Sequence, residues 1–137
     1  MDIRCKVIDD LRKVMDENSI DMLMHNYHFS YGNGFYEPGI YIYEEKKKYY
    51  YIDIGDRGGV ENEIESSDPE DILYRIYSTV TFNEAVRFAS LKKEKNTDWR
   101  KDLFKKQLEL LMGIGEKYYK RRKKEIEVIL SKSPYHS

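Results

Sequence analysis

Gly39-Ile40-Tyr41-Ile42-Tyr43-Glu44, then Lys46-Lys47-Lys48, then Tyr49-Tyr50-Tyr51-Ile52-Asp53-Ile54 reads as two strands joined by a lysine turn. β-branched and aromatic side chains favour strands, and they alternate faces along each one. Ile40 and Ile42 share one side of the first strand; Tyr50, Ile52 and Ile54 share one side of the second. Matching those aliphatic sides places Tyr41, Tyr43, Tyr49, Tyr51 and Asp53 together on the other. A third strand over 60–65 adds Val60 and Ile64 to the aliphatic side, and Glu61, Glu63 and Glu65 to the tyrosine side. The expected sheet has a core face and a face of tyrosines and carboxylates. Eight of the 13 tyrosines lie between Tyr27 and Tyr51. Tyrosine brings rigid contact area and a polar tip, so this face is the expected binding surface. Glu44 and Asp56 stand at its strand ends.

Helical spacing surrounds this sheet. Ile3, Val7, Ile8, Leu11, Val14 and Met15 trace an apolar stripe, predicting one helix from about Asp2 to Glu17, closed by Asn18-Ser19. Ser19 to Met24 fits either a short helix or an extended stretch. Gly32-Asn33-Gly34 and Pro38-Gly39 are turn chemistry, so 25–37 reads as a loop or irregular hairpin. Gly55-Asp56-Arg57-Gly58-Gly59 makes the second turn of the meander. Ser67-Asp68-Pro69-Glu70-Asp71 is a strong helix start, with a capping oxygen, proline at the first position and acids at the positive dipole end. Ile72, Leu73, Ile76, Tyr77 and Val80, then Phe82, Ala85, Val86, Phe88 and Ala89, fit one kinked helix or two short ones. Lys92 to Asn96 reads as a connector. Thr97-Asp98 caps a helix with Trp99, Leu103, Phe104, Gln107 and Leu111 on one side. Gly113 and Gly115 separate it from a last helix carrying Ile114, Tyr118, Ile126, Ile129 and Leu130. Helix, strands, then helices make an α+β fold, with an antiparallel sheet of three or more strands and the C-terminal helices on one sheet face.

The 137 residues suit a single domain over 1–137, and an aromatic share of 14% opposes disorder. No apolar run approaches a membrane span, and Met1-Asp2-Ile3-Arg4-Cys5 lacks the pattern of a secretory signal. A lone cysteine, Cys5, permits no internal disulfide and fits a reducing cytoplasm; it is expected to pack beside the first helix. The net charge of −1 hides a division. Residues 1–91 hold 10 basic and 18 acidic side chains, whereas 92–137 hold 14 and 7. That polarity either steers a charged partner or is matched within the fold.

No catalytic constellation emerges. Serine hydrolase chemistry needs a base beside its nucleophile, and the chain has no Gly-x-Ser-x-Gly elbow. The glycine turns lack the lysine and the strand-to-helix context of phosphate loops. His25, His28 and Glu37 lie close in sequence, but zinc wants three or four ligands, and His136 belongs to a C-terminal tail; they read as loop residues, with no metal or cofactor expected. Lys117-Tyr118-Tyr119-Lys120-Arg121-Arg122-Lys123-Lys124 is the one nucleic-acid-like run. Its simpler reading is the solvated side of a helix that buries Tyr118.

The chain also resembles the immunity protein 63 family, from Gly39 onward. Gly39, Tyr50-Tyr51-Ile52 and Asp56-Arg57-Gly58 carry the strand and turn marks, and Asp71-Ile72-Leu73-Tyr74 with Phe82 and Ala85 continues them. Asp98-Trp99-Arg100, Leu103-Phe104, Gln107 and Leu110-Leu111 follow, then Arg122, Glu125-Ile126, Leu130 and Pro134-Tyr135. Asp56 departs from the pattern, which favours glutamate before Arg-Gly. The resemblance implies a bacterial protein that binds and blocks a cognate toxin domain made beside it. Many such toxins are nucleases, whose basic clefts carboxylates and tyrosines would fill as phosphates and bases do. The sequence thus predicts a cytoplasmic inhibitor rather than an enzyme. The expected toxin-binding residues are Tyr41, Tyr43, Glu44, Tyr49, Tyr51, Asp53, Asp56, Glu61 and Glu63. The alternative is a nucleic-acid-binding regulator using Lys117, Lys120, Arg121, Arg122, Lys123 and Lys124. Asp56 and Arg57 also fit a purely structural role, as a turn bridged to a helix.

Overall fold

The computed structural model of the chain describes residues 2–30, 37–91 and 98–136. The expected Gly32-Asn33-Gly34 turn, the Lys92–Asn96 connector and the Thr97 cap lie outside them. Helix α1 (Ile3–Leu11) starts where Asp2 accepts the Cys5 N–H at 3.1 Å. It stops short of the expected Glu17. Asp16 opens a second helix, α2 (Glu17–Met24), by accepting the Ser19 N–H at 2.8 Å. Val14 and Met15 still pack against the core, but from the turn between the helices. Cys5 is exposed rather than packed.

Strands β1 (Tyr27–His28), β2 (Gly39–Glu45), β3 (Lys48–Ile54) and β4 (Val60–Ser66) form one sheet in that order. The two later pairs are antiparallel as expected. The short β1 adds a parallel pair inside the stretch read as a loop. Gly39 makes that junction possible. It has φ of +153°, and a Cβ there would lie 2.7 Å from the Asn26 carbonyl, which accepts the Ile40 N–H.

The β2–β3 turn decides the faces. Lys46 and Lys47 both have positive φ, 53° and 66°, and form a two-residue loop with Glu45 opposite Lys48. The aliphatic matching above needs a three-residue turn over Lys46–Lys48. Shortening it by one residue slips the register and turns β3 over relative to β2. Ile40 therefore sits opposite Asp53, Ile42 opposite Tyr51, and Tyr43 opposite Tyr50. The helix-facing side of the sheet carries Ile40, Ile42, Tyr51 and, from β4, Ile64. The opposite side carries Tyr41, Tyr43, Tyr50, Ile52 and Ile54.

Three more helices complete the described fold. Helix α3 (Pro69–Leu91) is one continuous segment of 23 residues. Its Ile72, Leu73, Ile76, Tyr77 and Val80 join Val7, Leu11 and Ile20 in the main core. Helix α4 (Trp99–Ile114) runs through Gly113 and ends at Ile114, so only Gly115 separates it from α5 (Glu116–Lys132). Leu103, Phe104, Gln107 and Leu111 are buried as expected. Trp99, in the first turn, points outward and is 60% exposed. Ala85, Leu103, Phe104 and Ile126 make a second core cluster among α3, α4 and α5.

Buried polar groups tie the helices together. Asp10 accepts from the Tyr77 hydroxyl at 2.5 Å and pairs with Lys6 and Lys13, each at 2.9 Å. Gln107 donates to the Ser78 carbonyl and accepts from Arg122. Asp98 caps α4 and binds Arg100, whose guanidinium also donates to the Ser133 and Pro134 carbonyls. That clasp docks the C-terminal tail, with Tyr135 against Phe104. Among the described residues no helix is long and apolar enough to cross a membrane.

Candidate partner-binding surface

The sheet surface away from the helices is built around a hairpin pair. Tyr43 and Tyr50 stack with ring centroids 4.9 Å apart and planes 14° from parallel, and both rings are half-buried. Tyr41 lies beside them but is buried; its hydroxyl donates to the Glu37 carbonyl at 2.8 Å, and the His28 ring stacks on it at 4.6 Å. Ile52 and Ile54 are buried in the same cluster. Exposed Glu63 lies across from Ile52, and Glu65 across from Tyr50. Lys48 reaches Glu65 at 2.7 Å, which raises the lysine's pKa and neutralises that end of the patch. Glu61 and Glu63 have no ion-pair partner among the described residues, so their charge faces solvent.

The β3–β4 turn continues this acidic border. Asp56 and Arg57 are exposed, and neither makes an ion pair among the described residues, so the expected bridge to a helix is not formed. Gly58 has a φ of +78°, and the turn closes through the Gly58 N–H donating to the Gly55 carbonyl at 2.9 Å. The Glu61 side chain lies over Gly55, where a Cβ would meet its carboxylate oxygen at 2.1 Å. Beside it is a notch of about 380 Å³ lined in part by His25, Asp53, Asp56 and Glu61. Over 37–66 there are 8 acidic against 4 basic side chains.

The structure splits the nine expected residues. Tyr43, half-buried, and Glu63, exposed, lie on the sheet face away from the helices, with Glu61 and Asp56 toward its end. Tyr41 is on that face but 6% exposed. Tyr51 is on the helix side, 1% exposed, with the Arg75 guanidinium 5.6 Å from its ring centre. Tyr49 and Asp53 are half-buried on the helix side, and Glu44 lies opposite Tyr49 there, exposed. The one-residue slip explains the displacement of Tyr49, Tyr51 and Asp53, whereas Glu44 shares the Ile40 and Ile42 side of β2 in either register, and Tyr41 is buried by its own contacts with Glu37 and His28. The slip also brings Tyr50 and Lys48 to the side of Tyr43, where Glu65 was already expected. A two-residue reading of the lysine turn would have found them.

The basic helix is largely answered from within. Lys117 pairs with Glu70 at 2.9 Å, Arg121 with Asp71 at 3.1 Å, Lys120 with Glu116 at 3.2 Å, and Arg122 with Glu125 at 3.3 Å. Arg121 also covers the Tyr74 ring at 4.1 Å, and Lys123 lies 5.8 Å from the Tyr119 ring centre. Two of these pairs join α5 to the start of α3, so part of the charge division between the halves is matched internally.

His25 binds the Met22 carbonyl through Nδ1 at 2.7 Å, and His136 lies 3.4 Å from Asp98. The histidines are thus spread over α2, β1 and the docked tail. Among the described residues no three His, Cys, Asp or Glu side chains are grouped to hold a metal.

The family described as immunity protein 63 matches residues 45–128, from the end of β2 into α5. No curated protein matches the chain, and no solved structure does.

Proposed function

Because the chain belongs to the immunity protein 63 family, we propose that it neutralises a cognate bacterial toxin domain through the sheet face away from the helices and its exposed acidic border. The observation that carries this reading is the Tyr43–Tyr50 stack on the same sheet side as exposed Glu63, with Glu61 farther along β4 over Gly55, neither carboxylate having an ion-pair partner among the described residues. Stacked rings supply contact area that loses little side-chain entropy, and solvent-facing carboxylates steer a basic partner. The binding set is Tyr43, Tyr50, Asp56, Glu61 and Glu63. A toxin that cuts nucleic acid carries a basic cleft, which this pattern suits as phosphates beside bases would. Such an inhibitor acts as one domain in the cytoplasm of the producing cell.

The test is co-expression with the toxin domain encoded beside the gene. The wild-type chain restores growth, and a variant carrying Tyr50→Ala and Glu63→Lys does not, although both fold by circular dichroism. Full protection by that variant would show that the toxin binds elsewhere than this sheet face.

The alternative, a nucleic-acid-binding regulator working through α5, has less support. Phosphate binding needs cations free to displace counterions, and four of the six candidates already hold carboxylates.

A further inference from the structure

β4 is the outer strand of the sheet. It pairs with β3 along one edge, and no strand covers its other edge among the described residues. Backbone groups on an edge strand point outward at alternate residues and meet only water. Seven residues give such a row about 23 Å long. Val60 to Glu63 and Glu65 are exposed, so nothing among the described residues lies over them.

The side chains along this edge restrict what can pair with it. Glu63 and Glu65 share one side of the strand, Glu61 is the extra residue where the β3–β4 register shifts, and among the described residues only Glu65 of the three has an ionic partner, Lys48. Directly opposed side chains on antiparallel strands lie about 5 Å apart, where like charges destabilise and opposite charges stabilise. Consider a second copy of this chain pairing antiparallel through β4, with both helix layers on the same side of the sheet. Registers centred on Glu63 or Glu65, or setting one opposite the other, place glutamate opposite glutamate. Charge on an edge also deters neutral strands. A strand with lysine or arginine at alternate positions meets neither objection, because its cations fall on the Glu63 and Glu65 side of β4.

We propose that a basic, extended segment of the toxin adds to β4 as a fifth strand of the sheet. This rests on the toxin-neutralising reading and specifies how contact is made: backbone hydrogen bonds give adhesion, and alternating cations give register. The strand lies beside the Tyr43–Tyr50 face, so residues flanking the added segment reach the stacked rings.

The probe is a seven-residue peptide alternating lysine with valine, compared with two versions N-methylated at the valines or at the lysines. N-methylation leaves charge intact and removes one row of backbone donors at a time. Amide hydrogen exchange of the full chain should slow about tenfold or more at alternate positions within 60–66 when the parent peptide binds. One methylated version should lose this effect and the other keep it. Glu61→Gln with Glu63→Gln should weaken peptide binding roughly three- to tenfold, the loss of one cross-strand charge pair and a second carboxylate near the same edge. Unchanged exchange at 60–66, or equal binding by all three peptides, overturns the edge. A toxin domain that binds tightly without protecting 60–66 also overturns it and leaves neutralisation standing. A chain that takes the peptide at β4 but fails to protect cells overturns neutralisation alone.

Discussion

Tyr43 and Tyr50 face one another across the β2–β3 hairpin, 4.9 Å between ring centroids. Their neighbour Tyr51 faces the other way and is 1% exposed beneath α3. Adjacent tyrosines on one strand therefore have separable roles. Tyr50→Ala should weaken toxin binding by about 2 kcal/mol, roughly 30-fold, and cost only about 1 kcal/mol of stability. Tyr51→Ala should cost about 3–5 kcal/mol of stability by opening a core cavity. Urea unfolding beside calorimetric titration with the toxin separates the two effects. Equal stability losses would show that the register is wrong.

The turn offers a second check on that register. Lys46 and Lys47 both have positive φ, a conformation that L side chains other than asparagine and aspartate rarely adopt. Replacing them with Asn-Gly should stabilise the protein by about 1 kcal/mol, read as a higher urea midpoint. A three-residue turn would gain nothing from this exchange.

Much of this fold was legible in the sequence. The hairpin showed in its alternation, and α3 and α4 in their caps and stripes. The faces were not legible, because any two of Lys46, Lys47 and Lys48 serve equally well as turn residues, and one residue reverses a strand. The α1–α2 break was hidden by Val14 and Met15, which keep helical spacing while lying in a turn; Asp16 three residues before Ser19 was the available signal. Strand β1 is two residues long and has no period to read. Trp99 fits its helix's stripe but sits in the first turn, short of the covering helix. For the site, residue types carried the acid and tyrosine character, and register alone decided which of them face out.

Gly39 should tolerate no side chain. In Gly39→Ala the new Cβ meets the Asn26 carbonyl at 2.7 Å, in a backbone conformation that L residues avoid. The expected loss is about 2 kcal/mol or more. Thermal unfolding measures it. A neutral result would show that β1 is not held against β2 as described.

Acid should destabilise the protein in a defined window. Hydrogen bonds from Arg100 hold the Asp98 carboxyl well below its ordinary range. Burial raises Asp10 and Glu70, but Lys6, Tyr77 and Lys13 on the first, and Tyr118 and Lys117 on the second, outweigh it, so both are lowered. A carboxyl depressed on folding adds stability that is complete above its unfolded pKa, about 4, and is lost as pH falls below that. Urea midpoints should stay level from about pH 6 to 8 and drop as pH falls below about 4. Asp98→Asn should lower stability at neutral pH and flatten the acid loss. An acid limb unchanged in that variant would contradict the clasp as a source of stability.

The most direct test of the central claim compares two charge reversals for their affinity to the toxin domain. Glu61→Lys with Glu63→Lys alters the exposed acidic border of β4, and Lys123→Glu with Lys124→Glu alters α5; all four side chains are exposed, so folding is preserved. The first pair should weaken binding about 100-fold or more, while the second should leave it within about threefold. Tight binding by the first pair, with loss in the second, would contradict it and move the toxin-binding surface to the basic helix.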